Sequence, residues 1–498
     1  MQLLRHFVIL SLFTFGCLLW YVNVFPKKRT NQMKKPNIVF ILADDLGWAD
    51  IGYNNPNIIT PTIDELARGG VILNQSYVTQ SCSPSRAALM SGYYPYRLGF
   101  QTGGVRRQMP TGLPSDIPIL PRKLRNLGYS TYMVGKWHLG YCKSAYTPNE
   151  RGFDKFYGYY LASEDYYTHM AGNWLDLHDN FDPVWGEDGT YSTYLFSNKA
   201  VEFIDHHDKA KPFFMYLAYQ SIHEPLQVPD KYFDMYPSVK NEMRRTLMGM
   251  ATALDDGIKQ VVSALKRNGL WENTLLVFSS DNGAPTLPPH QGSNWPLLGQ
   301  KHQLFEGGTR AVGFIHGNML QKTGYTYNGM IHIVDWYPTL LSVAGGKIRD
   351  QEIDGVDVWK ALSTNSLSPR NEIVYNIISE QGEAAIRIGN FKFMNVLPYT
   401  DVCWDPPPEA EGKWGNKTCL KQNENGVYLF NLKGDFIPST DDPLEHKNLA
   451  DIMPNKVREL TRRLEEKYEK VVPAFDRSYH DPEANPNNFG GVWSTGWC

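Results

Sequence analysis

The sequence lacks a surplus of positive charge, a second long apolar run and any internal repeat, and each lack excludes a class of protein. Lys and Arg together number 49 against 52 Asp and Glu, a formal charge of −3. Nucleic-acid binders carry a basic excess on the domain that meets the phosphates, so no nucleic-acid partner is expected. Only residues 7–25 approach the length needed to span a bilayer, which excludes a multi-span membrane protein. Charged residues at 20% against hydrophobic residues at 42% exclude wholesale disorder. What is there is a chain of 498 residues, long enough to bury one large core and a smaller one.

Residues 7–25 are apolar apart from Ser11, Thr14 and Asn23, with Arg5 ahead of them and Lys27, Lys28, Arg29, Lys34 and Lys35 behind. An uncleaved helix with those flanks would leave the main domain in the cytosol. A cleaved signal peptide over residues 1–26 is therefore the preferred reading, with a signal anchor, and so a membrane partner, as the alternative. Of the six cysteines, Cys17 lies in this segment and Cys82 in a motif treated below. Cys403 and Cys419 flank a Pro- and Gly-rich loop and are the first candidate pair; Cys142 with Cys498 follows by elimination. The alternative is four free thiols. Asn74-Gln-Ser and Asn416-Lys-Thr are glycosylation sequons, which lend some support to the secretory pathway.

Past Pro36 one pattern occurs four times, a short β-rich run followed by a polar cluster. Residues 37–43 lead to Asp44-Asp45, 129–134 to Gly135-Lys136-Trp137-His138, 213–219 to His223-Glu224, and 274–279 to Asp281-Asn282-Gly283. Continuous apolar strands of this kind suit a parallel sheet covered on both faces, and helical patterns over 120–127 and 241–267 lie between them. The reading is an α/β fold with a catalytic domain over 36–365. Ligands of such sheets bind beyond the carboxyl ends of the strands, so the four clusters should converge. Residues 366–498 read as a smaller subdomain with antiparallel strands near 372–378, 385–388, 391–396 and 427–431. A helix opens there at Pro454, with Val457, Leu460, Leu464, Tyr468 and Val471 as its apolar stripe. The Asn/Pro/Gly-rich tail from about Asp481 reads as a surface wrap.

Asp44, Asp45, Asp281 and Asn282 offer oxygens at two strand ends. Clustered carboxylates repel and resist burial, and a divalent cation removes both difficulties. All-oxygen ligands favour calcium or magnesium, and the lack of a His/Cys set argues against zinc. In residues 81–92, SCSPSRAALMSG, Pro84 marks a helix N-terminus, where backbone N–H groups favour an anion and Arg86 adds a donor fork. Cys82 beside such a site reads either as a nucleophile of lowered pKa or as a small buried hydrophobe.

Cys82-Ser-Pro84-Ser-Arg86 followed by Ala-Ala-Leu-Met-Ser-Gly resembles the first signature of the sulfatase family, and residues 128–138, GYSTYMVGKWH, resemble the second. The Asp-Asp and Asp-Asn-Gly clusters are similar to the family's metal set. Within the family, Gly299-Gln-Lys301, Glu306-Gly-Gly308 and Gly491-Val-Trp resemble the arylsulfatase B type, which acts on N-acetylgalactosamine-4-sulfate. The resemblance implies an alkaline-phosphatase-like mixed sheet flanked by helices, with a C-terminal antiparallel sheet and one helix. It implies that Cys82 is oxidised to formylglycine by a generating enzyme in the endoplasmic reticulum, and that the metal is one calcium ion held by Asp44, Asp45, residue 82, Asp281 and Asn282. It implies roles in sulfate-ester cleavage for Arg86, Lys136, His138, His223 and Lys301, a sulfated sugar or glycosaminoglycan as substrate, and a lysosomal or secreted protein. A phosphodiester or phosphonate hydrolase of the same superfamily, or a non-catalytic glycan-binding relict, is the alternative. Trp295-Pro296-Leu297 and His302 read either as sugar contacts or as a packed loop.

Overall fold

The strand Asn37–Ala43 is buried along its whole length, and its alternate side chains enter two different cores. Ile38, Phe40 and Leu42 join one; Val39, Ile41 and Ala43 join the other. That alternation is the meaning of a continuous apolar run in a sheet covered on both faces. The computed structural model describes residues 35–347, 353–410, 412–421, 423, 425–433 and 442–498. The targeting segment expected over 1–26 lies outside them. No described helix is long and apolar enough to cross a membrane.

The main sheet has ten strands. In spatial order they are Tyr325–Tyr327, Val71–Leu73, Gly313–His316, Thr274–Ser280, Asn37–Ala43, Phe213–Ala218, Ser130–Lys136, Lys155–Tyr159, His178–Asp179 and Asp182–Pro183. The five from Thr274–Ser280 to Lys155–Tyr159 run parallel, and Ile41 stands opposite both Leu217 and Phe278. Gly313–His316 and the last two strands pair antiparallel, making the sheet mixed. One face is covered by the helices Cys82–Ser91, Leu120–Asn126 and Trp336–Val343 through residues such as Ala87, Leu124 and Leu340. The other is covered by Pro61–Gly69, Ser192–Asp205 and Glu242–Arg267 through Ile63, Phe196 and Leu254. Asn241 caps the last of these by accepting the Arg244 N–H at 3.0 Å.

A second sheet of four antiparallel strands, Glu372–Ile378, Glu383–Ile388, Phe391–Asn395 and Val427–Asn431, follows in chain order. The helix Pro454–Tyr468 lies against it and buries Leu460 and Leu464. Val471, expected on the same stripe, falls beyond the helix end, and Tyr468 is exposed. Val374, Ile386 and Leu429 share the core of Phe40, so the two sheets are joined by apolar packing.

The tail departs from expectation. Trp493 and Trp497 are buried, and Trp493 Nε1 donates to the Ala171 carbonyl at 2.9 Å. The turn residues around them suggest a surface strand, but two indole rings bury more apolar area than the polar residues resist. Cys498 then closes on Cys142, and Cys403 closes on Cys419, the two pairs read from the sequence.

Candidate active site

The four strands Thr274–Ser280, Asn37–Ala43, Phe213–Ala218 and Ser130–Lys136 are consecutive neighbours in the sheet, and all four run the same way. Their carboxyl ends therefore deliver the four polar clusters to one place. Two close approaches fix the turns. A side chain at Gly135, where φ is +98°, would meet the Ala218 carbonyl oxygen at 2.0 Å, and one at Gly283 would meet the Gly307 carbonyl oxygen at 1.7 Å. Cys82 comes from elsewhere, as the first residue of the helix Cys82–Ser91. Ser81 precedes it in extended conformation and its side chain caps nothing, so the first-turn N–H groups remain available to an anion.

The oxygen-bearing residues are brought together as the sequence suggests. Asn282 Nδ2 donates to Asp45 Oδ1 at 2.6 Å, and the Asp45 N–H donates to Asp281 Oδ1 at 3.2 Å. Ligating atoms of Asp44, Asp45, Cys82 and His223 lie within 4.8 Å of one another, which adds His223 to the neighbourhood of the expected set. Asp44 Oδ1 and Asn282 Oδ1 are buried without a hydrogen-bond partner. Orphaned oxygens of this kind cost about 1–3 kcal/mol each, and a divalent cation would take both. The residues present fit such an ion.

Three cations face the three carboxylates. Arg86 Nε and Nη2 both donate to Asp281 Oδ2, at 3.0 and 2.7 Å. A third nitrogen of Arg86, Nη1, donates to the Lys136 carbonyl at 3.2 Å. Lys136 Nζ is paired with Asp44 Oδ2, and Lys301 Nζ lies 2.6 Å from Asp45 Oδ1. Arg86, Lys136, Asp44 and Asp281 are fully buried. Burial pushes the Cys82 thiol up, but the charges of Lys136 and Lys301 outweigh it and bring the pKa down to about 6. Burial, with Asp44 next in weight, pushes Asp281 up to about 6.

The two histidines sit in opposite surroundings. His138 is buried and has Lys136 and Arg86 nearby, all of which hold its pKa well below the usual value. Its Nε2 meets the Val105 carbonyl at 3.1 Å, which requires a proton on that nitrogen and leaves Nδ1, which has no partner, as a lone pair. For His223, burial lowers the pKa but Asp45 and Asp44 overcome it, and the net direction is up. His223 Nδ1 donates to the Glu224 carbonyl at 2.7 Å, which leaves Nε2 on the Asp45 side at 3.7 Å.

A cavity of about 860 Å³ opens above these groups and is lined by Cys82, His138, His223 and Lys301. His302 also lines it, whereas Leu297 is buried and Trp295 packs against the core beside the second sheet. Of the segment read as sugar contact or packed loop, only His302 faces the cavity. Residues 101–108 and Arg477 form another wall that sequence reasoning missed. The doublet Arg106-Arg107 reads as a solvated charge run, and nothing local links it to a residue some 370 positions later. Of the sequons, Asn416 is exposed, while Asn74 is half-buried with its side chain bonded to Asn328 and Arg310.

Comparison with known proteins bears on this arrangement. A family model described as Sulfatase matches residues 36–346. Arylsulfatase J of Mus musculus is 38% identical over 99% of this chain and 88% of its own length. N-acetylgalactosamine-6-sulfatase of Homo sapiens is 30% identical over 80% of this chain and 77% of its own. The solved structure of Ps i-CgsB in complex with k-i-k-neocarrahexaose superposes with a TM-score of 0.77 at 30% identity, covering 89% of this chain and 96% of that one.

Proposed function

The chain belongs to the sulfatase family and is a sulfuric ester hydrolase; from that premise we propose that its substrate is a sulfated sugar and that Cys82, converted to formylglycine, is the source of its nucleophile. The observation that carries the proposal is the meeting of Cys82 with three carboxylates and three fixed cations at the ends of four adjacent parallel strands. A formylglycine at position 82, once water has added to its aldehyde, would supply the nucleophilic hydroxyl, and a divalent cation held by Asp44, Asp45, Asp281 and Asn282 would make that hydroxyl more acidic and draw charge from the sulfate oxygens. The oxygen-rich donor set favours calcium or magnesium, and calcium is the ion we assign because the family resemblance implies it.

The chain's own side chains do the rest. Lys136 and Lys301 present fixed donors where negative charge develops, and such preorganised donors often contribute the largest catalytic term. Arg86 holds Asp281 through two hydrogen bonds and steadies the helix end that carries residue 82. His138, with its free Nδ1 lone pair, is the base that takes a proton as sulfate leaves. His223 and Lys301 stand on the leaving-group side and one of them delivers a proton to the departing sugar oxygen, an effect of about 10²–10⁴-fold. The motif resemblance to arylsulfatase B and the likeness to an N-acetylgalactosamine-6-sulfatase support an N-acetylgalactosamine sulfate as the sugar. Two disulfides support maturation in an oxidising compartment, where a formylglycine-generating enzyme would act, and a lysosomal or secreted destination.

Protein made in a cell with a secretory pathway tests the proposal when offered an aryl sulfate, sulfated N-acetylgalactosamines and an aryl phosphate over a broad pH range. The sulfate esters should turn over in preference to the phosphate, and Cys82→Ala should lose at least a thousandfold in rate. No sulfate hydrolysis at any pH would contradict the proposal. A preference for phosphate would favour phosphoryl chemistry at the same site.

A further inference from the structure

The cations inside the site and those at its mouth differ in one respect. Arg86, Lys136 and Lys301 each face a carboxylate. Arg106, Arg107 and Arg477 line the same cavity, and among the described residues none of the three pairs with a carboxylate. Arg106 and Arg107 are exposed, on the loop that follows Gly103-Gly104. Arg477 is half-buried and reaches them from the C-terminal tail. Backbone contacts lock the two segments together: the Asp481 N–H donates to the Gln108 carbonyl at 2.9 Å, and Arg106 Nη1 donates to the Arg477 carbonyl at 3.2 Å.

Arg477 carries an uncompensated cost. Its Nε is buried without a partner, and its only described acceptor is the Thr102 carbonyl. Burial and the neighbouring Arg106 both hold its pKa below the usual arginine value. Among the described residues the one carboxylate on the cavity wall, Glu383, is committed to the Leu397 N–H at 3.1 Å. A half-buried guanidinium with an idle donor beside a like charge is stabilised when an anion arrives. The cavity, at about 860 Å³, lies in the upper part of the range for ligand sites and exceeds what one sulfate ester needs.

We propose that Arg106, Arg107 and Arg477 form a second anion subsite at the cavity mouth, which takes a carboxylate or a second sulfate on the sugar next to the reacting one. The inference rests on the sulfated-sugar reading and narrows it: the substrate is a polyanionic oligosaccharide. The subsite recognises charge two sugars wide, and Arg477 is its specificity-determining residue.

Binding and turnover together test it. Cys82→Ala protein is titrated with a monosulfated disaccharide of neutral sugars, its uronate-bearing counterpart and its disulfated counterpart. Kd should fall at least tenfold when either second anion is present, and the preferred anion identifies the source. Arg477→Gln should remove about tenfold of that preference and the double variant Arg106→Gln/Arg107→Gln about three- to fivefold, with a shallower salt dependence in both. Both substitutions of the double variant are on exposed residues, so it serves if the Arg477 variant does not fold. In parallel, kcat/KM for the dianionic disaccharide is divided by that for an aryl sulfate, and the ratio should fall in the variants, chiefly through KM. Equal Kd for all three saccharides, or ratios within twofold of the parent in folded variants, would overturn the subsite. Tight, arginine-dependent binding without hydrolysis of any sulfate ester would leave the subsite standing and remove the catalytic reading.

Discussion

At the scale of single residues the site is a set of matched, buried charges at the floor of a cavity. Asp44 and Lys136 are both fully buried, so neither can exchange its partner for solvent. Removing one side of a buried pair typically costs about 3–5 kcal/mol because the other charge is stranded. Lys136→Met should therefore lower the melting temperature by several degrees, and calcium should restore more stability to the variant than it adds to the parent. A variant that melts like the parent, with and without calcium, would contradict the pairing. Much of this chemistry was legible in the sequence. Asp44, Asp45, Asp281, Asn282, Lys136, His138 and His223 all follow apolar runs, and a parallel sheet leaves those positions at one edge. Lys301 was legible only through motif resemblance, since no strand precedes it. The pairings themselves, Arg86 with Asp281 above all, join residues 195 positions apart and have no local signal.

At the scale of elements the question is what holds the loop that carries Lys301. The Lys301 N–H donates to the Ala284 carbonyl at 3.1 Å, and the Gly283 N–H donates to the Gly308 carbonyl at 3.1 Å. The loop is thus hung on the turn that follows Asp281 and Asn282. Gly283 permits that approach, because a β-carbon there would overlap the Gly307 carbonyl and neither backbone can yield. Gly283→Ala should lower kcat/KM at least tenfold and reduce the melting temperature, where an unconstrained Gly→Ala change would be neutral or stabilising. Unchanged kinetics and melting would mean that the loop position does not matter to the site. The strands and long helices were legible from periodicity, whereas the tail was not. Its composition signals turns, and only the tertiary structure reveals that Trp493 and Trp497 enter the core.

At the scale of the molecule, buried charge also ties the second sheet to the first. Lys392 lies between Glu306 and Glu445, at 3.0 and 2.8 Å, and all three are fully buried. One cation cannot serve two carboxylates. Burial raises both, but Lys392 and its neighbours hold Glu306 below its usual value, while Glu445 is pushed up to about 7. A raised carboxyl binds more protons folded than unfolded, so its stabilising effect is full below the unfolded pKa and is lost as pH rises through the folded one. The window runs from about 4.5 to about 7. Glu445→Gln, which keeps the neutral shape, should leave stability at pH 5 close to the parent and make the variant the more stable at pH 7.5, measured by denaturant unfolding. A stability difference that does not vary with pH would contradict the raised Glu445 carboxyl. No single element carries this network, since Glu306 precedes the second sheet, Lys392 lies within it and Glu445 follows it.

The central claim is that residue 82 is the reacting group and that it is made from cysteine. The mass of the tryptic peptide spanning residues 69–86, from protein produced in a secretory-pathway cell and deglycosylated because Asn74 lies within it, tests this most directly. The account predicts a peptide in which the thiol has been replaced by an aldehyde. An unmodified Cys82, from cells that modified a control sulfatase, would contradict it.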